Sequence, residues 1–279
     1  MNRFIPIGLG AAAVVVVAVV GVQLLRPAGS GFGGAGPTPS PEPTATPQPS
    51  ATPQPSVAAT SRPADGSLAN GPFLITGTDG PNDGGSRAVT VDVASPGWFP
   101  FPDFDGAVKG DDGRDSPQSV GGMLLAWAWP AGTGFSVYGD PCQWATTIPK
   151  TPATTPDEIA AAFAAQAKTN AGTPVNVTVG GYTGKKITLH VPMSYEVPGA
   201  TREEKFGDCD GDQFAFYGLA GNKPGDEVTR NAQGPGQIDE LSILDVDGSI
   251  VILDAAYGPA TPAALIEEIR TLATSATFE

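Results

Sequence analysis

The chain is 279 residues long, carries a formal net charge of −14, and contains a single histidine and two cysteines. Residues 1–64 include three arginines and one glutamate, so the remaining residues together carry a charge of −16. A region this acidic repels phosphate backbones and anionic lipid headgroups, which excludes nucleic-acid binding and tight docking on an anionic bilayer.

The first predicted element is an apolar segment, Phe4 to Leu25, which contains no charged residue and is flanked by Arg3 and Arg26. A helix rises about 1.5 Å per residue, so ~20 residues cross the roughly 30 Å hydrocarbon core of a bilayer. We therefore predict a transmembrane signal anchor over residues 1–27, in which residues 4–25 contact the membrane. The alternative is a cleaved signal peptide, whose apolar region usually spans only ~7–15 residues.

A linker is predicted next, over residues 28–69, which are rich in Gly, Pro, Ser and Thr and contain the hexapeptide ATPQPS twice in tandem. Proline fixes φ and removes a backbone donor, so neither helix nor sheet forms and a disordered, extended linker is expected. This order predicts a single-pass protein of the cell membrane, with an extracytoplasmic domain over residues 70–279.

Both cysteines, Cys142 and Cys209, fall in this C-terminal region. In an oxidising compartment, two cysteines in one domain usually pair, so we predict a disulfide between them. A redox or metal-binding pair would normally show a C-x-x-C spacing or additional histidines, and the sequence has neither. The predicted role of the two cysteines is therefore structural.

The C-terminal region begins with predicted strands. Apolar and polar residues alternate over 87–93, a strongly apolar run at 121–130 predicts a second strand, and 133–144 is predicted as another. The segment 97–106 between them is rich in aromatic and turn-forming residues.

The clearest helix start in the sequence follows these strands. Thr155 is placed as the N-cap, with Pro156 at the first helical position and Glu158 three residues after the cap. The residues predicted on the buried face of this helix are Ile159, Phe163 and Ala167.

More strands are predicted after this helix. Residues 173–192 form two strands around a central Gly-Gly pair, and 212–218 alternates as a half-buried strand would. The strongest hairpin signal is 237–259, whose two β-rich arms meet at Asp247-Gly248.

The chain closes with a second predicted helix and a short edge strand. Thr261 is the predicted cap of this helix, Pro262 lies inside it, and residues 276–279 form the edge strand. The predicted apolar stripe of the helix consists of Leu265, Ile266, Ile269, Leu272 and Ala273.

Consecutive strands with few helices predict an α+β fold with a mostly antiparallel sheet and two flanking helices. The order of elements, with a strand-turn-Trp opening from Val89 to Trp98 and a helix and short strand at the close, resembles the PsbP-like α/β/α sandwich. The resemblance spans about 85–279, and the insertion 97–118 departs from it. Segments such as GDPCQW and TPDEIAAAFAAQ also resemble uncharacterised extracytoplasmic domains of bacterial membrane proteins. The resemblance implies a mostly non-catalytic binding or assembly factor and no catalytic residue.

Two acidic clusters have residue types that suit a cation site. Asp208, Asp210 and Asp212 are spaced like the ligands of a calcium loop, but Gln213 and Leu219 occupy the positions that require Gly and Glu. The segment is therefore expected to be a loop around the disulfide and is only a weak calcium candidate. A second acidic set is predicted to be a solvated loop, with calcium as the weaker alternative: Asp103, Asp105, Asp111, Asp112 and Asp115. No metal or cofactor is predicted.

His190, the single histidine, lies at the end of a predicted strand, and the sequence has no G-x-S-x-G nucleophile motif. A structural role is therefore expected for it.

Aromatic residues offer the remaining candidate surface. The candidates for contact with a ligand or partner are Trp98, Phe99, Phe101 and Phe104. Stacked aromatics bind flat or amphipathic ligands, but aromatics most often fill cores, and both interpretations are open for this segment.

These features predict a membrane-tethered, non-catalytic extracytoplasmic domain that binds a small-molecule ligand or an envelope protein. One alternative is an envelope hydrolase that uses an Asp/Glu pair across a cleft. The other is a structural or assembly element of the cell envelope.

Overall fold

The computed structural model describes residues 66–76, 87–101, 105–110, 121–130, 132–195, 206–219 and 229–279. The predicted anchor and residues 28–65 of the predicted linker lie outside these ranges. In the described ranges, neither α-helix has the length and apolar character needed to cross a bilayer.

Strands dominate the described part of the chain. In chain order, its strands and α-helices are β1 (Gly71–Thr76), β2 (Val89–Val93), β3 (Phe99–Pro100), β4 (Gly106–Lys109), β5 (Gly122–Trp129), β6 (Phe135–Val137), α1 (Pro156–Ala164), β7 (Val175–Val179), β8 (Tyr182–His190), β9 (Ala215–Leu219), β10 (Thr229–Asn231), β11 (Ile238–Val246), β12 (Ser249–Tyr257), α2 (Ala263–Thr274) and β13 (Thr277–Phe278). The strands predicted at 87–93, 121–130, 173–192 and 237–259 are thereby confirmed.

The strands form three antiparallel sheets. The largest has seven strands in the order β3-β4-β5-β12-β11-β8-β7, and two smaller sheets have the orders β1-β2-β13 and β10-β9-β6. The β11–β12 hairpin turns at Asp247 and Gly248, whose φ angles of 49° and 86° are those of a two-residue type I′ turn. The predicted α+β class with a mostly antiparallel sheet is confirmed.

The seven-stranded sheet is buried on both faces. One face packs against α1 and the β10-β9-β6 sheet, and the other packs against α2 and the β1-β2-β13 sheet. Residues of β5 alternate between the two cores, with Leu125 and Trp127 on the α1 side and Leu124 and Ala126 on the α2 side. This double burial explains why β5 is continuously apolar instead of alternating with polar residues.

Helix α1 begins as predicted. The Thr155 hydroxyl accepts a hydrogen bond from the backbone N–H of Glu158 at 3.2 Å. The predicted position of Ala167 on the buried face is wrong, because the helix ends at Ala164 and Ala167 is exposed. Gln166 is buried instead, and its amide nitrogen donates to the backbone carbonyls of two β-rich segments, at Tyr138 and Phe216.

Helix α2 starts differently from the prediction. Thr261 does not cap it, because its hydroxyl accepts from the N–H of Gly258 at 3.0 Å and donates to the carbonyl of Gly121 at 2.6 Å. Thr261 therefore ties the chain to the start of β5. The predicted apolar stripe is confirmed, with Ile269, Leu272 and Ala273 buried and Leu265 and Ile266 packed against the same core.

Glu240 on β11 connects the large sheet to α2. Its carboxylate accepts from Arg270 of α2 at 2.5 Å, from the Tyr257 hydroxyl at 2.9 Å and from Lys186 at 2.7 Å. Burial disfavours the charged carboxylate, but these donors outweigh it and lower the pKa of Glu240 to about 2.

This shift predicts a loss of stability in acid. The folded-state pKa of Glu240 lies below its ordinary value of 4.5, so its stabilising contribution is present above about pH 4.5 and is lost as the pH falls towards about 2. We expect Glu240→Gln to flatten the pH dependence of the free energy of unfolding over this window. Urea unfolding at about pH 6, 4 and 3 measures it. Glu267→Gln changes an exposed side chain of α2 and, as the control, should keep the wild-type pH dependence of the free energy of unfolding. If Glu240→Gln also kept the wild-type dependence, the lowered pKa would not belong to Glu240.

Candidate functional site

The predicted aromatic surface is not assembled as an exposed patch in the described residues. Trp98 is 1% exposed and belongs to the core on the α2 side, so the core interpretation holds for it. Phe99 and Phe101 are half-buried and pack against the other core, and Phe104 lies outside the described residues. Lys109 sits over the Trp98 ring, with its Nζ 5.9 Å from the ring centroid.

The weak calcium candidates lie in the loop beside the disulfide. The Asp210 carboxylate accepts from the backbone N–H of Ala145 at 3.0 Å, and its carbonyl accepts from the Trp144 indole at 2.6 Å. In the part of the chain that the structure describes, no three His, Cys, Asp or Glu side chains, including those of Asp208 and Asp212, converge as a metal site would require. Of the second acidic set, Asp105 is buried, and Asp103, Asp111, Asp112 and Asp115 lie outside the described residues.

The predicted disulfide is present, and it joins Cys142 to Cys209 across 67 residues. The bond links the segment after β6 to the segment before β9, where the Asp210 N–H also donates to the Cys142 carbonyl at 2.8 Å. His190 lies at the end of β8, where its side chain is exposed and its backbone N–H donates to Thr169.

A buried ionic cluster that is not among the sequence-based predictions lies in the core on the α1 side. Arg230 on β10 donates from Nε to Asp254 and from Nη2 to Asp239, both at 2.5 Å, and all three side chains are buried. Gln237 donates to both oxygens of Asp239 at 2.9 Å, and the Phe216 ring lies 5.7 Å from the guanidinium. The cluster therefore holds two carboxylates against one cation.

Electrostatics in this cluster follow from burial. Burial and the neighbouring Asp254 charge raise the pKa of Asp239 well above its usual range. Burial disfavours the charged guanidinium, but the two carboxylates outweigh it and raise the pKa of Arg230. No solvent-accessible surface remains on Asp239 or Asp254, so this carboxyl pair cannot meet a substrate and the cluster is structural. The sequence feature that could have indicated this cluster is the pair Asp239 and Asp254, which lie at buried positions of the largely apolar strands β11 and β12.

The candidate binding site in the described residues is the free edge of strand β7. This strand, with the sequence VNVTV, lies at one end of the seven-stranded sheet and pairs only with β8 among the described strands. It contains no charged residue, no proline and no register shift, and Val175 is 56% exposed. An unprotected edge of this kind is a template for pairing with another strand.

The register identifies which backbone groups are free. Val179 and Tyr182 flank the two-residue Gly180-Gly181 turn, so they exchange both hydrogen bonds, and the groups of Val177 also point to β8. The alternation directs the N–H and C=O groups of Asn176 and Thr178 away from the sheet. Both residues are exposed.

The other described sheet edges are protected. Strand β3 has two residues, one of which is Pro100, and β13 also has two. Strand β1 contains Pro72 and a register shift, and the three-residue β10 also has a register shift. Strand β6 is covered by Ala153, which exchanges two backbone hydrogen bonds with Phe135. Short strands, prolines and bulges are the usual means of blocking edge pairing, so β7 stands apart.

A polar groove of about 640 Å³ runs beside this free edge. Its walls are the first turn of α1, the β7–β8 hairpin and Asp245 of β11. Lys185 crosses it, with its Nζ 3.0 Å from the Asp157 carboxylate and 2.8 Å from the Asn176 side-chain oxygen. The groove therefore presents two carboxylates and one cation next to unpaired backbone groups.

No protein-family model matches the chain. No curated protein matches it either.

Proposed function

We propose that this protein is a membrane-tethered, non-catalytic extracytoplasmic domain that binds an extended segment of an envelope protein by strand addition to β7. The observation that carries the proposal is the free edge of β7, whose neighbouring groove offers side-chain contacts. Strand addition satisfies backbone donors and acceptors on both partners and places alternate side chains on opposite faces.

The proposed compartment has two supports. The disulfide between Cys142 and Cys209 suits an oxidising environment outside the cytoplasm. The apolar segment over residues 4–25, followed by the Pro-rich residues 28–69, suits an anchor and a spacer. The PsbP-like sandwich is proposed as the fold family, and its mostly non-catalytic members agree with a binding role.

Thr178→Pro should abolish peptide binding at the β7 edge. Proline removes the outward N–H of residue 178 and leaves the hydrogen bonds between β7 and β8 in place, because those belong to Val175, Val177 and Val179. The full chain, purified in mild detergent, is used to select binders from a displayed library of ~10-residue peptides. Fluorescence anisotropy then compares the affinity of selected peptides for wild type and variant, with an expected loss of at least about tenfold.

Thr178→Ala is the matched control, because it keeps the backbone N–H and should bind as wild type does. Hydrogen exchange of the Asn176 and Thr178 amides gives a second readout and should slow when peptide is bound to wild type. Selected peptides that bind Thr178→Pro as tightly as wild type would refute the proposal, as would a library that yields no binder.

A further inference from the structure

The geometry points to a partner segment of defined chemistry, and this inference rests on the proposed function. We propose that the added strand carries Lys or Arg side chains on the groove face and β-branched apolar side chains on the opposite face. The occupant is a segment of another protein, not a second copy of this chain.

The two faces of the added strand follow from the alternation of β7. Side chains of Asn176 and Thr178 line the groove, whereas Val177 and Val179 pack towards the core on the α2 side. Residues of an added strand that lie opposite positions 176 and 178 share their face, because paired residues point to the same side of a sheet. Every second side chain of the partner therefore enters the groove.

Charge in the groove favours a cation there. Lys185 is the one cation among the described residues that line it, and it is already held by Asp157 and Asn176. The Asp157 side chain is 79% exposed, and Asp245 is exposed and uses one oxygen to accept the Gly248 N–H at 2.7 Å. The two carboxylates exceed the single ammonium, and each has one oxygen to which no described residue donates a hydrogen bond.

The opposite face is a row of valines that the sheet leaves incompletely covered. Val179 is buried, Val177 is half-buried and Val175 is exposed. Apolar β-branched side chains on an added strand would extend this row as direct and diagonal cross-strand neighbours. The partner pattern is thus one of alternation between basic and apolar residues.

A second copy is a poor occupant on grounds of charge. Residues 65–279 carry a net charge of −16, so pairing two β7 edges would bring two strongly acidic domains together. A basic segment is instead attracted by the same field, which raises its rate of association.

Three synthetic nine-residue peptides test the inference on the full chain in mild detergent: alternating Val/Lys, Val/Gln and Val/Glu. We expect the Val/Lys peptide to bind about tenfold more tightly than Val/Gln, and Val/Glu to bind most weakly. Asp157→Asn with Asp245→Asn should bring the affinity for Val/Lys to within about twofold of that for Val/Gln. The matched control, Asp92→Asn with Glu267→Gln, removes two carboxylates from the α2 side and should preserve most of the preference.

The outcomes separate this inference from the proposed function. If all three peptides bind equally and Thr178→Pro abolishes binding, strand addition holds and the charge inference fails. If the control pair removes the preference as fully as the groove pair does, the preference comes from the overall field and the groove has no special role. If none of the three peptides binds while library-selected peptides do, strand addition holds and this inference fails; if the library yields no binder either, both fail. A sedimentation experiment that detects a dimer dissociated by Thr178→Pro would establish a second copy as the occupant and overturn the inference.

Discussion

Arg230→Met should destabilise the domain by ~3–5 kcal/mol, the range expected when one partner of a buried ion cluster is removed. The guanidinium is the hydrogen-bonding partner of both Asp239 and Asp254, and neither carboxylate has any exposed surface. Methionine keeps much of the side-chain volume, so the loss comes from uncompensated buried charge and not from a cavity. Urea unfolding at neutral pH measures the effect as a lower midpoint.

A triple variant separates charge from packing. Arg230→Met with Asp239→Leu and Asp254→Leu should recover most of the lost stability, because replacing a whole buried ion cluster by apolar residues is often neutral or stabilising. Arg87→Met is the surface control. It breaks the 3.5 Å pair with the largely exposed Asp247 and should cost under about 1 kcal/mol. An Arg230→Met midpoint equal to that of Arg87→Met would rule out the cluster as a major contributor.

Removing the disulfide should have the second large effect. Cys142→Ala with Cys209→Ala opens a covalent loop with a sequence separation of 67 residues, which on the chain-entropy model lowers the free energy of unfolding by roughly 4 kcal/mol. The effect acts mainly through the unfolded chain, whose conformational freedom increases. Urea unfolding of the oxidised wild type and of the variant measures it.

Reduction provides the control for this experiment. Wild-type protein in excess thiol should unfold at the midpoint of the double-alanine variant, and the variant itself should not respond to thiol. A double variant as stable as the oxidised wild type would contradict a stabilising role for this bond.

Elements with local signals were predictable from the sequence. The β11–β12 hairpin depends on Asp247 and Gly248, whose residue types tolerate the positive φ that the turn requires. Helix α1 starts where Thr155 and Glu158 can satisfy free backbone donors within one turn. In both cases the determining contacts lie within a few residues along the chain.

Predictions of burial and hydrogen bonding failed where contacts between residues distant in sequence determine the environment. The strand predicted over 212–218 is present as β9, but it is almost wholly buried instead of half-buried, because it lies between β6 and β10 and packs against the large sheet. Thr261 has the residue type of a cap, yet its hydroxyl serves Gly121, which is 140 residues away in sequence. Neither environment can be derived from neighbouring residues.

The candidate site was also predictable only where local sequence signals determine the structure. The glycine pair in residues 173–192 predicts the strand that forms β7, but its position at an open edge depends on the order of seven strands, which the sequence does not reveal. The groove likewise requires Asp157 of α1, Lys185 of β8 and Asp245 of β11 to meet. The Arg230 cluster as a whole was not predictable, because its three charged residues come from three different strands.

Because every other described sheet edge is protected, the number of strands that can be added to the described residues is limited. With β3 limited to two residues and Pro100 at the far end of the large sheet, the described part of the molecule offers a single acceptor for an incoming strand. If β7 accepts a strand as proposed, the described residues bind one partner segment at a time and do not crosslink two. Multivalent engagement through this edge would require several copies held close together, and the gain in avidity would depend on their effective concentration.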